Sequence, residues 1–598
     1  MEMKQKMATG ILFAVLLLVS LLVAGCVKPT TYMVPMRDGV KLATDVYLPT
    51  AKHLPRGVIL IRTPYQRDTL LNAALGKTWA NQGWPSVWQD VRGRYASEGN
   101  DTVFRNDYAD GPDTIAWIVN QSWCNGEVAT FGGSALGIVQ YLAAGANPPG
   151  LSCQYIQVAT PNLYKYAMYP GGEFRKNMIE EWLKGQHSTY MLPQVLAHEN
   201  YTLDYWSNTT IDNKWDQVNV PAIHIGGWYD IFSQGTIDGF LGYQHLAGPF
   251  ARGHSKLIMG PWTHSGAGST TQGQLTYPKN SVDNFSQPLF WQMVDEYTNN
   301  GSTAFDQWPA VTYYVMGDVN DSNALGNEWR YADDWPLPFT ERAWYFQADG
   351  TLQAMLPGDS TPISYTYDPE HPVPTVGGGN LEIPPGPYDQ CPVENRSDVL
   401  VFTSPVLSAP YEAAGPIKTR LYVSSNCMDT DFTVKLTDVY PDGRSMLITD
   451  GILRMRNRDG ADHWELMEPG TVYQVEVDLW STSYIWNTGH QIRVDVSSSN
   501  YPRCLNNPNT ADGIYKNTTY NLALNTVYLD SARPSCLLLP EIPQNETSAL
   551  HQGVSPSALL AQYTHVPTVR VPWYERLLSR FPGLNLKKGD PLPSRCLE

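Results

Sequence analysis

A parallel α/β sheet interrupted by an insertion and followed by an all-β domain is the fold this sequence predicts, on three observations. Up to about residue 305, short apolar, β-branched runs alternate with helical patterns, except that a polar and aromatic stretch over 161–220 breaks the rhythm. Beyond Phe305 the helical signal fades. Short alternating strands then recur between Gly, Pro, Asn and Asp turns, the pattern of a β-sandwich or jelly roll. At 598 residues the chain is too long for one compact core, so two or three domains are expected.

The chain begins with a basic start, an apolar run from Ile11 to Ala24 and then small residues, the layout of an export signal over residues 1–26. Its last four residues, Val23-Ala24-Gly25-Cys26, resemble the lipobox of prokaryotic lipoproteins, in which the cysteine becomes the lipidated first residue. Simple cleavage and a retained anchor are the alternatives. All three place the body outside the cytoplasm, extracellular or at the cell surface, with the membrane touched only through this signal or a lipid at Cys26. About ten Asn-x-Ser/Thr sequons, among them Asn200, Asn208, Asn284 and Asn517, are compatible with an exported surface.

VPMRDGVKLATDVYLP predicts a hairpin around Asp38-Gly39, and GVILIRTPY and WPSVWQDVRG predict buried sheet strands. The spacing in DYADGPDTIAWIV predicts a helix from Asp107 to Val119, and GEVATFGGSALGIVQYLAA follows as strand, tight turn and helix. These form the first part of the α/β domain, residues 27–160. The insertion, 161–220, carries helices over Phe174 to Leu183 and Leu192 to His198. PAIHIGGWYD and KLIMGPWTH restore two strand-plus-loop units in the second part, 221–305. KTRLYVSS, DFTVKLTDVY, TVYQVEVDLW and QIRVDVSSS supply strands to the β domain, 306–575, and 576–598 is a tail that either packs on the body or hangs free.

Composition narrows the function. Hydrophobic residues make up 42% and aromatics 12%, enough for large cores and aromatic-lined pockets. A net charge of -17 without a Lys/Arg run excludes nucleic acid as a partner. Besides Cys26 the cysteines are Cys124, Cys153, Cys391, Cys427, Cys504, Cys536 and Cys596, with no CxxC pair, so neither a zinc site nor a redox motif is indicated. One or two disulfides with a thiol left over are expected.

The chemistry is carried by Gly132-Gly133-Ser134-Ala135-Leu136-Gly137, which fits the G-x-S-x-x-G variant of the nucleophile elbow. Glycines there permit the cramped strand-to-helix turn that lifts the serine oxygen above a sheet. A serine hydroxyl is a poor nucleophile until a base takes its proton, and the base needs a carboxylate to fix its tautomer. In α/β-hydrolases the chain order is Ser, acid, His, each after a strand. Asp230 ends AIHIGGWYD and His264 closes LIMGPWTH, which makes them the acid and base; His224, inside a strand, is structural, and His254 lies in a polar loop. Oxyanion donors are the backbone N–H of Ala135 and the hydroxyl of Tyr65 in RTPYQR. Asp90, Arg92 and Glu98 in QDVRGRYASEG read as a loop stapled by an Asp–Arg pair beneath the site. Asp333-Asp334 and Asp429 to Asp431 read as solvated turns, so no metal is assigned, and no cofactor is required.

VPMRDGVKLATDVYLP, TPY, QDVRGRYASEG, NDYADGPDTIAWI, GGSALG, GGWYD, GPWTHS, GHQIRVDVSSSNYPR and NPNT, in that order, resemble the cocaine-esterase-like and Xaa-Pro dipeptidyl-peptidase-like (CocE/NonD) serine hydrolases, which include α-amino acid ester hydrolases and some acylases. The resemblance implies an α/β-hydrolase domain with an inserted helical cap and a C-terminal jelly roll like carbohydrate-binding, galactose-binding-like modules. It also implies Ser134 as nucleophile, Asp230 as acid, His264 as base, and Tyr65 and the N–H of Ala135 as oxyanion donors. Two departures bear on substrate. Ala135 stands where the family usually has Tyr, which implies a roomier acyl pocket. Phe232 and Ser233 stand where the amino-ester branch has carboxylates for the substrate ammonium, leaving Glu173 in PGGEFRK to enter from the cap. Glu173, Trp228 and Phe232 are the expected pocket residues. The function expected is hydrolysis of a small ester or amide through an acyl-enzyme. The alternatives are an Xaa-Pro or other dipeptidyl-peptidase acting on peptides, and a cell-surface glycan-binding protein with an inert hydrolase domain. A homo-oligomer is left open.

Overall fold

The computed structural model describes residues 27–299, 301, 304–513, 519–543 and 555–563. The export signal with Cys26, and the tail over 576–598, lie outside the described residues.

Eight strands begin the main sheet: β1 (Thr30–Pro35), β2 (Lys41–Tyr47), β3 (Arg56–Thr63), β4 (Ser86–Asp90), β5 (Cys124–Gly133), β6 (Leu151–Gln157), β7 (Ala222–Tyr229) and β8 (Lys256–Thr263). They stand in the order β1-β2-β4-β3-β5-β6-β7-β8, and from β4 to β8 every neighbouring pair is parallel. Parallel strands need crossovers and are covered on both faces, which is why β7 and β8 are buried at every residue and read as largely apolar runs. The helices Asp107–Val119, Ala135–Ala144 and Ser286–Asn299 pack on this sheet, the first with the bounds predicted from its spacing. The stretch between β6 and β7 carries helices Lys176–Gly185, Leu192–Leu196 and Leu203–Trp206, shorter or shifted by a few residues from those expected.

The main sheet continues past residue 305. Val311–Val315 pairs parallel with β8, and Glu328–Ala332 pairs antiparallel with it in turn, so the main sheet has ten strands and runs on to Ala332. VTYYV reads like a sandwich strand, and only its partner tells otherwise. The β domain that follows contains a seven-stranded and a four-stranded sheet built from antiparallel pairs, in which Tyr411–Ser425 and Tyr473–Trp486 are the long strands. One apolar cluster passes through both domains, from Trp79 and Phe290 under the main sheet to Phe402, Trp486 and Leu539 in the β domain.

Two expectations are corrected. Cys124, Cys153, Cys391, Cys427, Cys504 and Cys536 are all free thiols, so no disulfide forms among the described residues. Asp429 and Asp431 are not solvated turn residues: they are 0% and 1% exposed and pair with Arg456 at 2.7 Å and Arg454 at 3.0 Å. The Asp333-Asp334 pair is exposed as expected, with Asp334 bonded to His245.

A second buried charge cluster lies between the domains. His490 is 2% exposed and faces Asp438 at 2.9 Å from Nδ1 and Asp318 at 3.4 Å from Nε2. Burial alone would push this imidazole down, but the hydrogen bonds and charges of the two carboxylates outweigh it and hold the group up at about 9. A folded value above the unfolded one of about 6.5 gives stability that is complete below that pH and is lost as pH rises through the folded value. The wild type is therefore expected to lose roughly 3 kcal/mol between about pH 6.5 and 9.5 from this group. Thermal unfolding midpoints across that range should fall more steeply for wild type than for His490→Gln, and parallel slopes would contradict the assignment.

Candidate active site

β5 ends at Gly133 and the helix Ala135–Ala144 begins two residues later, leaving Ser134 alone in the turn with φ 56° and ψ −126°. Few L-residues hold that conformation, and the sequence around it supplies what the turn requires. Gly132 has φ +151°, and a Cβ there would lie 2.5 Å from Leu136; one on Gly137 would lie 2.5 Å from the Ala159 Cβ. The Ser134 N–H donates to the Gln157 carbonyl at 2.9 Å, tying the turn to the end of β6.

Asp230 and His264 follow β7 and β8 directly, and parallel pairing of these strands brings their ends together. Ser134 Oγ lies 2.9 Å from His264 Nε2, and His264 Nδ1 lies 2.5 Å from Asp230 Oδ1. An ionised carboxylate only accepts, so Nδ1 carries the proton and Nε2 is left to accept from Ser134. The other oxygen of Asp230 accepts from the Phe232 N–H at 3.0 Å, which leaves the buried carboxylate held on both sides. The Phe232 ring packs edge-on against the His264 imidazole, centroids 5.8 Å apart, so this expected pocket residue is at the site.

Tyr65 follows β3, with its N–H bonded to the Thr63 hydroxyl at 2.9 Å. Burial pushes its phenol above the ordinary value, against the lowering effect of hydrogen bonds with Trp182 and Ser134, so it stays protonated at neutral pH. The Trp182 indole N–H donates to the Tyr65 hydroxyl at 2.9 Å. Indole can only donate, so Tyr65 must accept there, and its own proton is free for the Ser134 side. Ala135 opens its helix, where the backbone N–H has no intrahelical carbonyl to bind. Five expected residues, Ser134, Asp230, His264, Tyr65 and Ala135, thus come together, and Phe232 joins them.

Two others do not. Glu173 is 0% exposed and forms an ion pair with Arg454 of the β domain, so it offers no anion to a substrate. Trp228 is 4% exposed; its indole donates to the Tyr314 carbonyl at 2.7 Å and its ring packs on Trp335, so it belongs to the core. The QDVRGRYASEG loop is stapled by Asp–Arg pairs as expected, though with partners outside it: Asp90 pairs with Arg67 at 2.6 Å, Arg92 with Asp110 at 2.6 Å, and Glu98 accepts from the Lys41 N–H at 3.0 Å. Trp182 was not singled out from sequence. It sits in no motif, and its contact with Tyr65 crosses 117 residues of chain.

Comparison with known proteins agrees with this layout. The family described as X-Pro dipeptidyl-peptidase (S15 family) matches residues 38–191 and 175–266, and the X-Pro dipeptidyl-peptidase C-terminal non-catalytic domain matches 303–538. The chain is 32% identical over 580 residues to the cocaine esterase of Rhodococcus sp. (strain MB1 Bresler), covering 85% of this chain and 98% of that protein. The crystal structure of an aminopeptidase from a marine sediment archaeon, Thaumarchaeota archaeon, is 24% identical, with a TM-score of 0.75 over 87% of this chain and 97% of that one. A CocE/NonD family hydrolase from Staphylococcus aureus is 18% identical, with a TM-score of 0.68 over 86% and 93%. The two structural likenesses show a shared fold, an α/β-hydrolase-like domain with a C-terminal β domain. Together with the sequence matches they make the conclusion plain: the chain belongs to the cocaine-esterase-like, X-Pro dipeptidyl-peptidase-like (CocE/NonD) family and is a serine hydrolase.

Proposed function

We propose that the protein cleaves an ester, through an acyl-enzyme formed on Ser134, with His264 as base and Asp230 as the carboxylate that fixes its tautomer. The observation that carries this reading is the unbroken hydrogen-bond chain from Ser134 Oγ through His264 to Asp230 at 2.9 and 2.5 Å. Ser134 attacks the carbonyl carbon as its proton passes to His264 Nε2. The resulting oxyanion is met by the Tyr65 hydroxyl and the N–H of Ala135. The imidazolium then protonates the leaving alkoxide, and water repeats the sequence to release the acid.

An ester with an uncharged acyl group is favoured over an amino ester or a peptide with a free N-terminus. The support is that, among the described residues, the carboxylates expected to meet an ammonium are engaged elsewhere or replaced. Asp230 is engaged on both oxygens, Glu173 is ion-paired in the interior, and the two residues after Ile231 are Phe232 and Ser233. The side chains near Ser134 are aromatic instead: Tyr65, Phe232 and Trp182, the last stacked on Phe104 with centroids 5.7 Å apart.

Labelling with a fluorophosphonate probe should modify wild type and leave Ser134→Ala unlabelled; equal labelling would remove Ser134 from the reading. On aryl esters with blocked and free α-amines, the blocked substrate should show kcat/KM at least equal to the free one, and a strict requirement for the free amine would point to the peptidase alternative. Trp182→Phe keeps the ring but removes the N–H that sets the polarity of Tyr65. It should lower kcat about 5-fold, the equivalent of one neutral hydrogen bond of about 1 kcal/mol, and should add little in a Tyr65→Phe background. Full additivity of the two substitutions would show that Trp182 does not act through Tyr65.

A further inference from the structure

The stretch Pro170–Lys176, at the entrance of the insertion, is wedged against the β domain. A Cβ on Gly171, whose φ is +63°, would lie 1.8 Å from the Ile452 carbonyl oxygen, and one on Gly172 would lie 2.5 Å from the Asn457 side chain. The Leu505 N–H donates to the Phe174 carbonyl at 3.0 Å, and the Asn177 N–H to that of Pro502 at 3.1 Å. Glu173 is ion-paired with Arg454. The wedge therefore takes its position from β-domain residues, Ile452 to Leu505, that lie far downstream in the sequence.

Arg175 is the last residue before the helix Lys176–Gly185 and is 1% exposed. Its guanidinium has no carboxylate in hydrogen-bond contact among the described residues. It donates instead to three backbone carbonyls: Tyr166 at 3.1 Å in the insertion, Ile231 at 2.7 Å immediately after Asp230, and Gly379 at 2.7 Å in a β-domain loop. Gly379 itself abuts the acid, since a Cβ there would lie 3.0 Å from the Asp230 carbonyl oxygen. A buried cation is costly, and burial duly pushes this one down to about 9; Arg503 lowers it further, while Cys504, Asp450 and Asp230 also act on it. A buried ion held by carbonyls of three separate segments is a fastening, and one of those segments carries the triad acid.

We propose that Arg175 is a positioning residue for Asp230: it pins the turn after β7 to the β domain and so holds the carboxylate in register with His264. The proposal rests on the reading of Asp230 as the acid. Its effect passes through the Ile231 carbonyl and the loop at Gly379, with no contact to substrate. The rigid fork suits the role, because its two terminal nitrogens reach carbonyls of three segments at once.

The test compares Arg175→Met, Arg175→Lys, Gly379→Ala and Asp230→Asn in the full chain. Rates are expressed per folded enzyme, counted from the native unfolding transition. Arg175→Met should leave KM within about 2-fold, lower kcat between about 10- and 100-fold, and move the acid limb of the kcat/KM profile to lower pH, as an imidazolium less well supported by Asp230 should. Arg175→Lys should recover only part of that loss. Arg175→Met should add less than 2-fold in the Asp230→Asn background. If Arg175→Met does not fold, Arg175→Lys carries the test through a smaller kcat loss and a pH shift of the same sign, and Gly379→Ala, whose Cβ would press on the Asp230 carbonyl, checks that displacing this turn lowers kcat. Normal kcat with an unshifted profile, or full additivity with Asp230→Asn, would overturn the proposal while leaving the acid assigned. Near-normal turnover of Asp230→Asn would instead overturn the acid assignment on which the proposal rests.

Discussion

The backbone of Ser134 is the constraint on which the site depends. A φ of 56° with ψ of −126° costs an L-residue of order 1–3 kcal/mol and persists only where its surroundings allow nothing else. Those surroundings are the sheet and the buried helix on either side, which meet at Gly132 and Gly137 too closely for any side chain. The strain also has company. Gln66, Tyr95, Val103 and Phe104 have positive φ as well; Gln66 adjoins Tyr65, and Phe104 stacks on Trp182. Backbone of this kind thus adjoins the candidate site on the Tyr65 and Trp182 sides.

What holds the other end of the site is charge taken out of water. Glu173, Asp429, Asp431, Arg454 and Arg456 are all 2% exposed or less and form one group between the insertion and the β domain. Burial pushes the Glu173 carboxyl well above its ordinary range, and the Arg454 guanidinium opposes that shift. Such a group adds little net stability, because desolvation offsets most of the attraction. Its directional bonds do fix which surfaces meet. An apolar seam would tolerate sliding of the Pro170–Lys176 wedge; Arg454, bonded to Asp431 at 3.0 and 3.1 Å and paired with Glu173, does not.

Local patterns were legible in the sequence to the extent that they are local. The helix Asp107–Val119 could be bounded from its own spacing, and Asp230 and His264 could be found because each directly follows an apolar strand. Contacts between distant segments were not legible. Glu173 was expected in the pocket because a carboxylate in a cap reads as available, yet its partner lies 281 residues away at Arg454. Trp228 looked like a pocket wall for its place near Asp230, but its indole is bonded to the Tyr314 carbonyl and its ring packs on Trp335, neither of which its local sequence announces. The placement of the strand Val311–Val315 was not legible for the same reason: its residues fit either sheet, and only the bond to β8 decides. The free thiols show the converse, since an even spread of cysteines says nothing about whether any two meet.

The helix Lys176–Gly185 and the residue before it touch both ends of the proposed machinery. Arg175 reaches the turn that carries Asp230, and Trp182, two turns later on the same helix, reaches the Tyr65 hydroxyl. A helix is stiff over that length, so displacing it would move the support of the acid and the polarity of the oxyanion donor together. The wedge at its start is in turn seated on the β domain through Gly171, Gly172 and Glu173. A domain that contributes no group to the hydrogen-bond chain of Ser134, His264 and Asp230 is in this way a structural condition for its geometry. The large apolar cluster running through both domains joins that support to the sheet it supports.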